Sequence, residues 1–401
     1  MLLKLKRRFS ASTTRPRRAS RRLHVETLEG RELLTASLAG ITLPDNAMVT
    51  TNVVPVNGEM FFGAYDATHG YQLWESNGTS SGTQMLTDVN APYGIDPQNL
   101  TAVGNTLYYT ADDGPDGIQL WMSDGTPGGT TMVTDVNPGL GLIPSSLTNV
   151  GGTLYFVGYS TSAGQQIFES NGTAAGTVMV TDINPGAGCS PSMLTAAGST
   201  LYFRANDGTH GYQLWDTSGS GATMLTTSNV SGSGTVPGDL TAVGSTLFFQ
   251  GYDSTGYQLW VSNGTPSGTA RLTSTGAAYV GLLPTSLTAV GSTLFFAAND
   301  GTDGSQLWES NGTSNSTVMV TSINNTAGCY LSNLTNANGT LYFSAYTAAY
   351  GYQVWQSDGT SNGTVMDTNS SAGLTSAPTN LVAMGTTLFF AEAGASFWVL
   401  M

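Results

Sequence analysis

From about residue 50 onward, apolar residues arrive in short bursts separated by Gly, Asn, Asp, Ser and Thr. The bursts are too short and too regularly interrupted for amphipathic helices and read as strands. The commonest burst has the form G-x-T-L-Y-F, as in Gly151 to Phe156, Gly198 to Phe203 and Gly291 to Phe296. Eight such strands occur, the first being the weaker Gly58-Glu59-Met60-Phe61-Phe62. One unit, residues 146–183, parses into strand a (147–150), strand b (153–158), strand c (165–169) and strand d (177–183). Strand b is almost wholly apolar, as expected of a strand buried on both faces. The c–d connection is Ser170-Asn171-Gly172-Thr173, and S-(N/D)-G-T recurs at residues 76, 123, 262, 310 and 357. Asn-Gly and Asp-Gly suit tight turns because both residues tolerate positive φ.

Internal repetition is the dominant signal. Trp74, Trp121, Trp215, Trp260, Trp308, Trp355 and Trp398 occupy one slot per unit, and Phe168 fills the vacant one. A period of 43 to 48 residues with four short strands predicts an all-β fold. The expected form is an eight-bladed β-propeller of four-stranded antiparallel blades, with an open β-solenoid as competitor. The units run about 52–89, 99–136, 146–183, 193–228, 239–274, 286–323, 333–369 and 380–401. The last stops after strand c, whereas residues 38–43 precede strand a of the first unit without a partner. Pairing this N-terminal strand into the last blade would close the ring and remove an exposed sheet edge. The expected domains are therefore a disordered basic segment, 1–37, and a propeller, 38–401.

Charge changes the picture at the N-terminus. Ten of the twelve basic residues stand in the first 31, against Glu26, Glu29 and Glu32, so residues 1–36 carry +7. The remaining 365 residues hold 23 acids against Arg204 and Arg271, a net of −21. Such a body repels phosphate backbones, which argues against nucleic-acid partners. No apolar run approaches the roughly 18 residues of a transmembrane helix. The basic head lacks the apolar centre of an ordinary secretory signal. Through Glu26, Leu28, Glu29, Arg31, Leu33, Leu34, Thr35 and Ala36 it resembles the E-x-L-E-x-R-x-L-L-(S/T)-A leader of planctomycete extracellular proteins. That resemblance implies export to the cell surface or medium.

The repeat, in turn, resembles the ELWxxDGTxxGT (hyalin-like) family of bacterial surface proteins. The nearest run is Gln119-Leu120-Trp121-Met122-Ser123-Asp124-Gly125-Thr126, then Gly129-Thr130. Where that family has Glu, this chain has Gln72, Gln119, Gln166, Gln213, Gln258, Gln306 and Gln353. The swap weakens any charge-based role for the position. Both resemblances imply an extracellular repeat protein and carry over no ligand.

Candidate chemistry is sparse. With strand a innermost, the variable d–a loops share a face with the b–c loops, and a ligand is expected there. The b–c loop with Asp112, Asp113 and Asp116 is the best calcium candidate, although its spacing departs from D-x-(D/N)-x-(D/N)-G, and turn-shaping aspartates are the commoner arrangement. No other cofactor is expected. His69 and His210 share one slot three units apart, too far round a ring for a joint metal site. Cys189 and Cys329 share another, so they should be unpaired, or paired only between molecules. Residues that break the repeat mark ligand candidates. Arg204 and Gln250 stand where other units have Gly63, Thr110, Val157, Ala297, Ser344 and Ala391. Glu392 breaks the next slot, which is otherwise small. Arg204 suits a carboxylate ligand or an acidic glycan in the central channel; the alternative is a structural partner for a neighbouring Asp.

Nothing resembles a Ser-His-Asp set or a phosphate-binding loop, and no carboxylate pair stands out for glycoside hydrolysis. Pyrroloquinoline-quinone dehydrogenases share the bladed plan, but their vicinal cysteines are missing. Sialidase propellers carry their Asp box and Trp in the opposite order. The expected function is a monomeric, non-catalytic surface module binding an extracellular glycan or surface protein. The alternative is a carbohydrate-active hydrolase or lyase with its site on the variable-loop face.

Overall fold

A computed structural model describes residues 43, 47–137, 139–219, 221–227, 232–274, 280–323, 328–368, 377–384, 387–392 and 396–400; of residues 379, 380, 383, 384, 387, 392 and 396–400 only the backbone is described. The strands form eight antiparallel sheets in chain order. Sheets 2 to 7 have four strands each, sheet 1 has five, and sheet 8 has three among the described residues. This is the all-β, repeated four-stranded plan of a β-propeller. In sheet 3 the strands are Ser145–Val150 (a), Thr153–Ser160 (b), Gly164–Ser170 (c) and Thr177–Met179 (d). Innermost strands of successive sheets pack side by side from sheet 1 through sheet 8.

Strand b is buried on both faces because consecutive sheets stack on it. Val150, Tyr155, Ile167, Val180 and Cys189 of sheet 3 and its loop form one core with Leu201, Phe203 and Trp215 of sheet 4. Equivalent clusters lie between each later pair and between sheets 1, 2 and 3. The anchor ring stacks on the aromatic opposite it, as Phe156 on Phe168 at 5.7 Å and Phe249 on Trp260 at 6.0 Å. The small slot follows from this ring. A Cβ at Gly251 would stand 2.7 Å from Trp260, and one at Gly158 would stand 2.8 Å from Phe168. Trp398 sits opposite Phe390 in backbone register, as Trp355 sits opposite Phe343.

Strand d is shorter than the sequence suggests, ending at Met179 and not at Ile183. The cause is the buried Gln166. Its Nε2 donates to the carbonyls of Ala163 and Ile183, and its Oε1 accepts from Thr181 Oγ1 and the Ile183 N–H. Thr181 Oγ1 in turn accepts the Ile167 N–H at 2.9 Å. After one last backbone bond, from the Val180 N–H to the Ile167 carbonyl, a side-chain clamp replaces the strand ladder. The Thr-to-Gln bond recurs at Gln72, Gln119, Gln213, Gln258, Gln306 and Gln353. The glutamine slot is structural, a role that its periodicity alone did not disclose.

The S-(N/D)-G-T turns also shape the backbone. Asn171 Oδ1 accepts from Thr173 N and Oγ1, Thr173 Oγ1 accepts the Gly176 N–H, and Thr177 Oγ1 donates to the Thr173 carbonyl. Residues 38–42 of the expected ring-closing strand lie outside the described residues. Leu43 is described and packs with Phe62, Ala64 and Trp74 on the face of sheet 1 turned away from sheet 2.

Candidate functional site

The d–a loops are held between sheets by backbone bonds. Tyr71 N–H donates to Tyr93 O, Ile95 N–H to Tyr71 O, and Asp112 N–H of sheet 2 to Ile95 O. Tyr159 to Leu142, Asn206 to Cys189, Tyr252 to Thr235, Asn299 to Leu282 and Tyr346 to Cys329 repeat the last bond. Beyond each tie the chain turns left-handed at non-glycine residues. Asp96, Ile143, Ser190, Val236, Leu283 and Tyr330 have φ between 44° and 50°. This conformation is uncommon, and for β-branched Ile143 and Val236 it is strained. It turns side chains outward: Ile143, Leu283 and Tyr330 are all exposed.

A cavity of about 440 Å³ opens on this face between the loop after sheet 1, sheet 2 and the loop after sheet 2. Asn90, Tyr93, Asp96, Gln98, Asn99, Thr110, Asp112 and Ile143 line it. Tyr93 is 77% exposed, an aromatic plate at the rim. Gln98 Nε2 donates to Asp96 Oδ1 at 2.9 Å, and Asn99 Nδ2 donates to Thr110 Oγ1 at 3.1 Å. An aromatic plate beside fixed amides and carboxylates can stack on a sugar ring and bond its hydroxyls.

Tyrosine pairs repeat at the ends of the b–c hairpins. Tyr65 and Tyr71 have ring centroids 4.8 Å apart, Tyr252 and Tyr257 5.0 Å, and Tyr346 and Tyr352 5.2 Å. Tyr330, from the loop before sheet 7, adds an edge contact to Tyr346. The strand bursts pointed to core, so these partly exposed tyrosines escaped the sequence reading.

The sequence candidates are distributed and not gathered. Of the calcium candidates only Asp112 lines the cavity. Asp112 Oδ1 accepts the Gly114 N–H and Asp113 Oδ1 the Asp116 N–H, so both shape the hairpin. Partial desolvation and the neighbouring Asp113 and Asp135 push the Asp116 carboxyl above its usual range. Among the described residues no group of three or more His, Cys, Asp and Glu side chains converges as a metal site would require. Gln250 Nε2 donates to the Pro284 carbonyl at 2.7 Å, which ties it to the next loop. Arg204 packs over the Tyr212 ring, 4.0 Å from its centroid. Glu392 ends strand b of sheet 8 opposite Ser396, and its side chain lies outside the described residues.

His69 Nδ1 lies 3.0 Å from Asp66 Oδ2 and His210 Nδ1 2.6 Å from Asp207 Oδ2, each closing its own hairpin. Burial works to raise the Asp66 carboxyl, but the backbone N–H groups of His69 and Thr68 and the His69 ring hold it below its usual value. Cys189 and Cys329 are unpaired, fully buried thiols pushed up to about 12 by burial.

No known protein family matches the chain. No curated protein matches it either. Solved structures resemble it at low identity. One comes from a study of two prolyl endopeptidases (13% identity, TM-score 0.44), where 85% of this chain covers 52% of the other. The chain thus spans about half the length of that protein. A catalytically inactive virginiamycin B lyase from Staphylococcus aureus with quinupristin matches at 13% identity and TM-score 0.37, over 96% of this chain and 99% of the other. The β-propeller domain of the trilobed protease from Pyrococcus furiosus matches at 8% identity and TM-score 0.39, over 77% and 95%. These likenesses concern the fold alone.

Proposed function

We propose that the chain is an exported, acidic, eight-bladed β-propeller that binds glycans or envelope proteins through its variable-loop face, without catalysis. The observation that carries this reading is the loop-face cavity. It joins an exposed tyrosine plate to fixed amides and carboxylates, on a frame whose hairpin ends repeat tilted tyrosine pairs. Repeated weak sites on one rigid face suit multivalent contact with a polysaccharide. The leader resemblance supports export. In this reading residues 38–43 close the ring as the outer strand of the last blade, which gives Leu43 its place against Phe62 and Trp74.

The test is binding of the purified full chain to a polysaccharide array, with calcium and again with chelator. Retention of one glycan class without release of sugar supports the module. Loss in chelator assigns the Asp112 loop a calcium ion. Release of products overturns the non-catalytic reading, and retention of no glycan overturns the glycan reading in favour of a protein partner.

A further inference from the structure

The body of the chain holds two basic residues, and the structure treats them differently. Arg271 Nη1 is paired with Asp253 Oδ2 at 2.8 Å and with Thr255 Oγ1 at 3.0 Å. Arg204 has no carboxylate within ion-pair distance among the described residues, and its buried Nε has no hydrogen-bond partner. Its slot makes this notable. In sheet 2 the same slot holds Thr110, whose hydroxyl donates to the Gln98 carbonyl, and in sheet 5 it holds Gln250, tied to Pro284. Those side chains spend their polar groups on strand a or the next loop. Arg204 instead lies over the Tyr212 face, opposite Ser192 on strand a. Thr110 and Ile118, which match Arg204 and Tyr212 in register, line the cavity at sheet 2.

A partly buried, uncompensated guanidinium is costly unless something supplies the missing charge. Stacking on Tyr212 holds its fork rigid, and a rigid fork matches a carboxylate in a two-point bond. We propose that Arg204 and Tyr212 form a carboxylate-binding subsite on the loop face, taking a single uronate of an otherwise neutral glycan. The net −21 of the body disfavours a polyanion, whose many charges it would repel, but not one isolated acid. This inference rests on the glycan-binding reading and names the ligand's charge.

The experiment titrates the full chain with a xylo-oligosaccharide bearing one glucuronate and with its carboxyl-reduced counterpart, by calorimetry. The wild type should bind the acid form about ten-fold or more tightly than the reduced form. Arg204→Gln should abolish that preference while Arg204→Lys keeps part of it, and Arg271→Gln should leave it intact. Melting curves of each variant establish that it is folded, and Tyr212→Leu gives a second route to the subsite should Arg204→Gln prove unstable. Equal affinity of the wild type for both forms overturns the subsite and leaves the glycan reading standing. A preference that survives Arg204→Gln overturns it too. Binding of neither form, with no glycan retained on the array, overturns both.

Discussion

Replacing Thr181 by Val removes one oxygen from the sheet 3 clamp at almost constant shape. Thr181 is 2% exposed, accepts the Ile167 N–H and donates to Gln166 Oε1. In the variant Gln166 Oε1 still accepts the Ile183 N–H, so the acceptor is not stranded. The Ile167 N–H is. An unpaired buried donor costs about 1–3 kcal/mol, or about 2–6 °C of melting temperature at about 2 °C per kcal/mol for a large domain. Thr181→Ser keeps the hydroxyl and should lose only the methyl, about 1 kcal/mol. Thr321 makes the same two bonds to Leu307 N–H and Gln306 Oε1 three sheets away. Thr321→Val should therefore cost the same, and the double variant should match the sum of the two within about 0.5 kcal/mol. The assay is urea unfolding of the full chain followed by tryptophan fluorescence and circular dichroism. A Thr181→Val protein as stable as wild type, or one no weaker than Thr181→Ser, would refute the clamp.

Neighbouring glycines should differ. A Cβ at Gly129 would meet Asp124 Oδ1 at 2.1 Å, whereas one at Gly128 meets nothing within 4 Å. Gly129→Ala should melt below Gly128→Ala, but by only about 2 °C, because the exposed Asp124 side chain can shift as Asn311 does beside Ser316, which holds the same slot in the sixth unit; equal melting points would sink the turn argument. Burial raises the Asp216 carboxyl to about 6, so the stability it leaves to the fold is full below its unfolded value and falls as pH rises through about 6. Asp216→Asn should gain in melting temperature relative to wild type between pH 4 and pH 7, and a flat difference would contradict this. Cys189 and Cys329 should ignore a thiol reagent in the native protein and both react in denaturant. Prompt native labelling would show that the loops holding them open.

Repetition made the sheets legible because each unit's burial pattern was written eight times, and errors in one copy are corrected by the others. What the pattern could not convey was which polar groups are consumed inside. Gln166 looked like a weakened charge position because a residue's slot says nothing of the carbonyls it faces. Val180 to Asp182 looked like strand because their alternation suits one, yet Thr181 spends its hydroxyl on the Ile167 N–H and the Gln166 side chain. The cysteines came out as expected since spacing alone separates them. Asp113 and Asp116 were grouped with Asp112 by adjacency, whereas a hairpin turns adjacent side chains in different directions. Tyr93 and Tyr330 were missed because each lies in a loop whose composition has no period to betray it.

The hydrophobic clusters between sheets have a consequence for how such a chain can change over generations. Each cluster draws on strands a, b and c and the following loop of one repeat and on strands b and c of the next, so the cooperative unit is the seam between repeats. Damage at one seam stays local to two neighbours. Sheet 3 can exchange tryptophan for Phe168, and the fourth unit can discard the Asn-Gly turn, without a matching change elsewhere. A chain insulated in this way can let one loop drift toward a new partner while the other seams hold the frame.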